Sequence, residues 1–298
     1  MPPTSLPPFP SAMAQAAWTR PRSTGNWWER FRGQRAAVAA LAVLAAFTLA
    51  ALLADVIAPG DPGRSTGAAL QAPSAAHWFG TDDLGRDVFA RAVHGSRPTL
   101  VVGLLAALTS GAIGAAVGGI AGYFGGAADD LAMRVTEAVQ VMPRFFLVPL
   151  VAALFGPSIV VTTGLLGLTL WPAPARVVRS QVLSLRTRPF VLAARALGAS
   201  EWRVLALHVL PQVLPLAVAH ATLQVGAAIL TEAGLSFLGL GDRTAVSWGG
   251  LLNDAQPLFR FAWWTALPPG VCVTATVLAV NLVGDSLSMA LDPRRRNE

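Results

Sequence analysis

The sequence predicts an all-α membrane protein: six transmembrane helices, with a charged helical loop between spans 4 and 5. Three observations carry that prediction. Of 298 residues, 54% are hydrophobic and only 13% charged, against about 25% charged in a soluble domain; the mean hydropathy is +0.55. Six apolar segments, roughly 36–58, 98–124, 131–155, 158–178, 209–238 and 263–291, come near the length a span needs. Between the fourth and fifth lies a stretch with Arg186, Arg188, Arg195, Arg203 and Glu201, where membrane-like sequence stops.

Residues 1–35 read as a cytoplasmic N-terminal region. The first 26 hold six prolines and few large apolar residues, a composition that favours disorder. Trp27, Trp28 and Phe31, mixed with Arg30, Arg32 and Arg35, form an interfacial belt ahead of the span 36–58. That apolar run is too long for the core of a cleavable signal peptide and fits a signal anchor.

The segment 59–97 is the longest external stretch. It opens on the turn-rich Pro59-Gly60-Asp61-Pro62. After Gly80, Thr81 is expected to cap a helix with Asp82 and Asp83 in its first turn. Val88, Phe89, Ala92 and Val93 then make an apolar face, Asp87 and Arg91 pair at i, i+4, and Gly95 ends the helix. Adjacent acids such as Asp82 and Asp83 raise the idea of a metal or acid–base site, but helix N-termini attract carboxylates for ordinary electrostatic reasons. A structural cap over the outer mouth is the expectation, with contact to a delivery protein as the alternative.

Residues 98–291 form a five-span core. The second span carries no charge from 98 to 124, and its Gly114/Gly118 and Gly118/Gly122 pairs have the GxxxG spacing that lets helices approach closely. Arg134, Glu137 and Arg144 occupy the first half of the third span. Pro143, Pro149, Pro172 and Pro174 predict kinks or helix ends in the third and fourth.

In the loop 186–211, RTRPFVLAARALGASEWRVLALHVLP, Phe190, Ala193, Ala194 and Leu197 recur at the spacing of one helix face. Gly198 ends that helix in a left-handed cap. Ser200 caps a second, with Glu201 in its first turn. A short helix, a glycine hinge and another helix, held between two spans, make a rigid knob for another protein to grip.

The fifth span carries His220, Gln224 and Glu232, and the sixth Asn281 and Asp285. Polar groups inside a membrane are functional candidates by default; Gln224 and Glu232 are the candidates for a substrate route, with interhelical hydrogen bonding as the plainer role. Cys272 is the only cysteine, which rules out an intrachain disulfide or cysteine cluster. Residues 292–298 form a cytoplasmic tail. All 22 basic residues are Arg; with both termini inside, 16 face the cytoplasm and six the exterior. That bias is the positive-inside rule, so topology rather than nucleic acid explains the net charge of +6.

The knob also resembles the EAA loop of ABC-importer permeases, with Ala193, Ala194, Gly198, Leu210 and Pro211 in register, Leu192 in place of the Glu and His208 in place of an Ile. HWFGTDDLGRDVFARAVHGSRPTL (77–100), EAGLSFLGLG (232–241), SWGGLLNDA (247–255) and NLVGDSLSMALDP (281–293) are similar to signatures of the dipeptide/oligopeptide/nickel permease family. The resemblance implies the permease fold and a cell-membrane location. It implies half of a translocation pathway for peptides or related small solutes, nickel chelates included. It implies as partners a second, homologous permease, two ATPases that bind ATP and Mg, and an extracytoplasmic substrate-binding protein. It marks Arg188, Phe190, Ala193, Ala194, Arg195, Leu197, Gly198 and Glu201 for ATPase coupling. Gly80, Thr81, Asp82, Asp83, Gly85, Arg86, Asp87 and Arg91 form the external signature.

The chain contains no GxxxxGK[ST], HExxH, GxSxG or CxxC, so neither nucleotide hydrolysis nor other catalysis, and no cofactor or metal, is expected of it. The rival from another class is an ion-coupled secondary transporter without an ATPase, which would use Glu232 and Asp285 as a relay.

Overall fold

The structure, a computed structural model, describes residues 27–291. The expectations for 1–26 and for the tail 292–298 lie outside the described residues. The architecture follows from one long helix and what packs along it. Interfacial α1 (Trp27–Arg32) leads into the apolar α2 (Arg35–Leu52) and a one-turn α3 (Ala54–Ile57). A strap, 58–87, follows without helix. Then α4 (Val88–Phe124) runs unbroken for 37 residues, about 55 Å at 1.5 Å per residue, well beyond the ~30 Å hydrocarbon layer.

α4 corrects the sequence reading of the strap. The helix starts at Asp87, whose side chain accepts the Ala90 N–H at 2.9 Å; Thr81 does not cap it, and Asp82 and Asp83 lie in the strap. Gly95 does not end it either. Its bare Cα makes room for the Trp248 ring, which would come within 3.2 Å of an added Cβ. The external helix and the second span are therefore one element.

The third and fourth expected spans are each broken. α5 (Gly126–Val141) ends where Met142 turns extended ahead of Pro143, and α6 (Arg144–Phe155) follows; a residue before proline is forced out of the helical region. α7 (Ile159–Leu170) and α8 (Pro172–Leu185) join at Trp171, where proline begins a new first turn. The knob consists of α9 (Pro189–Ala196) and α10 (Glu201–Val204), then a π-turn, Leu205–Val209, which feeds into α11 (Leu210–Phe237). α12 (Trp248–Ala255) and two 3-10 turns precede α13 (Leu267–Leu291). Among the described residues, four helices rather than six are long and apolar enough to cross a membrane: Arg35–Leu52, Val88–Phe124, Glu201–Phe237 and Trp263–Leu291.

α4 is the central post. α7 and α8 lie along one side of it and α11 along another, while α13 packs on α11 and α2. Gly114, Gly118 and Gly122 are the contact with α8: a Cβ on Gly118 would strike the Ala175 carbonyl, and one on Gly122 the Arg179 carbonyl. Among the described residues four apolar clusters hold the bundle: Val102, Leu166, Leu170 and Leu235; Trp248, Leu251 and Val273 at the strap end; Val178, Val182, Val204 and Val209 at the knob end; and Phe31, Ala37 and Ala290, where α1 and α2 meet α13. Outward-facing Leu104, Leu108, Leu230 and Leu278 are more than half exposed, as lipid-facing side chains are.

Candidate functional site

Two constellations stand at opposite ends of α4. At the knob end, the sequence folds locally as its caps dictate. Arg188 is the extended residue before Pro189, which opens α9. α9 closes with the Ala199 N–H on the Ala194 carbonyl (3.1 Å) and the Gly198 N–H on the Arg195 carbonyl (2.9 Å). That pair of bonds is a Schellman cap, and it requires the left-handed Gly198, φ +82°. Ser200 stands at the next N-cap, with no bond from its side chain.

The knob has two faces. Val191, fully buried, and half-buried Ala194 pack onto the chain's own cluster with Val178 and Val182. Phe190, Leu192, Ala193 and Leu197 are exposed, Leu197 at 89%. The sequence reading placed Ala194 on the outward face; it turns inward, because α9 is anchored through Val191 and the position three residues on shares that side. Glu201 accepts the Tyr123 hydroxyl at 2.5 Å and Arg195 Nη2 at 2.9 Å. Trp202 packs on Phe124 at 4.7 Å between ring centroids.

At the strap end, a buried ion network replaces the expected helix start. Asp82, 3% exposed, accepts the Leu84 and Arg86 N–H groups on Oδ1 at 3.0 and 2.9 Å. Its Oδ2 takes Arg86 Nε and Arg91 Nη1, both at 2.7 Å. Arg91 reaches on to Asp254 of α12 at 2.9 Å. The expected Asp87–Arg91 pair is absent: Arg91 is drawn to Asp82 and Asp254, and Asp87 holds His77 Nδ1 at 2.7 Å. Thr81, fully buried, ties strap to strap by donating to the Ala68 carbonyl at 2.7 Å, and its own carbonyl accepts the Trp264 indole N–H. Gly80 and Gly85 are left-handed turns within the strap, and Asp83 is exposed.

A cavity of about 380 Å³ opens beside this network, lined by Arg86, Arg91, Arg243, Ser247, Asn253 and Asp254 among others. Its floor adjoins a smaller void at Glu232. Glu232 is buried in α11; Oε1 accepts Ser236 Oγ at 2.7 Å, and Oε2 has no protein partner among the described residues. Gln224, two turns away, is half-buried. The loop 238–247 is anchored by Asp242, which accepts the Ile159 and Thr244 N–H groups and the Thr244 hydroxyl at 2.6–3.1 Å. Burial pushes the Asp242 carboxyl up, but those donors outweigh it and hold it below the usual carboxylate range. Among the described residues no group of three His, Cys, Asp or Glu could hold a metal.

Sequence reasoning missed Tyr123, Asp254, Trp248 and Asp242. Tyr123 is the chain's only tyrosine and sits at the end of an apolar run, which was a legible sign. Asp254 is 163 positions from Arg91, a pairing no local pattern announces.

Long apolar helices around a central post, with a capped knob projecting at one end, mark an integral-membrane protein. The family model for the binding-protein-dependent transport system inner membrane component matches residues 114–297, and the chain belongs to that family, the permease subunits of ABC importers. It is thus a multi-pass inner-membrane protein. A second model, the N-terminal TM domain of oligopeptide transport permease C, matches residues 24–73. Among similar proteins, the dipeptide transport system permease protein DppC of Bacillus subtilis (strain 168) is 38% identical over 92% of this chain and 86% of its own length. DppC of Alkalihalophilus pseudofirmus is 35% identical over 99% and 96%. The glutathione transport system permease protein GsiD of Pectobacterium atrosepticum is 35% identical over 91% of each.

Proposed function

We propose that this chain is one of two permease subunits of an ATP-driven importer of short peptides, working with a homologous permease, two cytoplasmic ATPases and an extracytoplasmic binding protein. The substrate class rests on relatives named for dipeptide and glutathione transport. In this reading the broken pairs α5–α6 and α7–α8 each cross the membrane as one span, giving six; α6 and α7 alone, with 12 residues each, reach only about 18 Å. Both termini and the knob then face the cytoplasm, and the strap faces outward, in line with the Arg bias.

The observation that carries the coupling role is the two-faced knob. Val191 and Ala194 fasten it to the bundle, while Phe190, Leu192, Ala193 and Leu197 present an apolar surface beside Arg188 and Arg195. Exposed apolar groups on a rigid, polar-rimmed projection are a docking face for a partner. ATP-driven movement of the ATPases shifts that face, and α4 and α11 carry the shift toward the cavity beside Arg91 and Glu232. Gln224 and Glu232 then line the solute's route.

The test has two arms. A cysteine at Ser200 in a Cys272→Ala background is expected to react with membrane-permeant reagents and to resist impermeant ones in whole cells; external labelling overturns the orientation. In proteoliposomes, dipeptide uptake is expected only with both permeases, the ATPases and the binding protein. Uptake driven by a proton gradient without ATPases would favour the ion-coupled rival.

A further inference from the structure

We infer that Tyr123 is the positioning residue that locks the knob to α4, so that knob and post move as one body. The inference rests on the coupling reading above and adds a residue to it that lies outside the knob. Tyr123 is the penultimate residue of α4 and is 3% exposed. Its hydroxyl donates to Glu201 Oε2 at 2.5 Å, and the Arg195 guanidinium, 5.3 Å from the ring centroid, also binds Glu201. One phenol thus joins the last turn of α9, the first turn of α10 and the end of α4. A hydrogen bond to a carboxylate is stronger than one between neutral groups, and the ring adds a cation–π contact.

Neighbouring contacts fix the same joint. Phe124 packs on Trp202, and Arg186 donates to the Gly122 carbonyl at 3.3 Å. The ring of Tyr123 shares one buried apolar cluster with Val191 of α9 and Val204 of α10, while an open hollow of about 410 Å³ lies between Tyr123, Phe124, Arg186, Thr187, Leu192 and Arg195, so the directional bonds of the joint stand on its open side. At its far end, α4 carries Arg91 into the network with Asp82 and Asp254. A displacement of the knob that keeps the Tyr123 joint intact therefore reaches the strap end through a single helix. Without the hydroxyl, α9 and α10 keep only the non-directional apolar packing against the end of α4, and the hollow leaves them room to shift relative to it.

Spin-label distances in the assembled importer, in a Cys272→Ala background, test this directly. One label goes on Ser200 in the knob, with the second either on Leu108 of α4 or on Leu278 of α13; all three positions are exposed. Adding ATP to ATPases that bind but do not hydrolyse it is expected to move the 200–278 distance by at least ~2 Å and leave the 200–108 distance unchanged. In Tyr123→Phe, which keeps the ring and removes only the hydroxyl, the 200–108 distance is expected to broaden or shift with ATP. Glu201→Gln with Tyr123 intact, which retains an acceptor for the phenol, is expected to keep most of the wild-type distribution. A 200–108 distance in Tyr123→Phe that matches the unaltered protein overturns the joint, as does one that already moves in the unaltered protein. A 200–278 distance that ignores ATP in the unaltered importer would instead refute the coupling reading beneath it.

Discussion

Replacing Asp82 with Asn separates the buried network from the helix cap that local sequence suggests. The side chain is 4% exposed and meets four donors, two backbone N–H groups on one oxygen and two guanidinium nitrogens on the other. Asn keeps the shape but turns one oxygen into a donor, so whichever way the amide points, two N–H groups face an N–H. Arg91, itself 8% exposed on its side chain, keeps only Asp254, which is 41% exposed. Breaking a buried pair on one side costs about 3–5 kcal/mol. The surviving Asp254 contact puts Asp82→Asn at the lower end, ~3 kcal/mol. At about 2–4 °C per kcal/mol for chains of this size, the melting temperature falls by roughly 6–12 °C. The assay is thermal unfolding in lipid nanodiscs, with proteolysis of the strap 58–87 as a local readout. Asp83→Asn, on an exposed neighbour, stays within ~0.5 kcal/mol of wild type. If Arg91→Gln is added to Asp82→Asn, part of the loss returns, since no buried cation is then left short of its partner. Equal, small shifts for Asp82→Asn and Asp83→Asn would refute the reasoning.

Three further outcomes are expected. Gly118→Val collides with the Ala175 carbonyl, whereas the Cβ of Gly111→Ala would lie an ordinary 3.5 Å from Ala221. The first therefore lowers folded yield in size-exclusion profiles, by ~1–3 kcal/mol or more, and the second leaves it unchanged. Leu197→Arg, at a side chain 89% exposed, leaves membrane insertion and melting intact but cuts co-purification of the ATPases; Gly198→Val also cuts co-purification and, through added strain of ~1–2 kcal/mol in its left-handed backbone, lowers the melting temperature by a few degrees while leaving insertion intact. The depressed Asp242 carboxyl makes its anchoring of loop 238–247 fully present above the unfolded value of about 3.9. The anchoring is lost as pH falls through the lower folded value, so hydrogen exchange of the Ile159 and Thr244 amides should rise only below about pH 4 in the wild type, but at all pH values in Asp242→Ala.

The sequence by itself determined what depends on near neighbours and on solvent. Apolar run length marked the helices, because a backbone in lipid must bond to itself. Gly198 marked the knob's cap, because its left-handed angle is a local steric matter. The glycines at 114, 118 and 122 marked a close helix contact, though not that α8 fills it. Only the tertiary structure decided where Arg91 goes. Read locally, Asp87 four residues away was its partner and Thr81 the start of a helix; in the fold, Asp254 comes across from α12, and Asp82 becomes a buried hub. Gly95, a helix end by local rules, proved to be a socket for Trp248. The inward turn of Ala194 and the role of Tyr123 were equally out of reach. Each depends on which face of one helix meets another far along the chain, and buried charges choose partners by space, not by spacing.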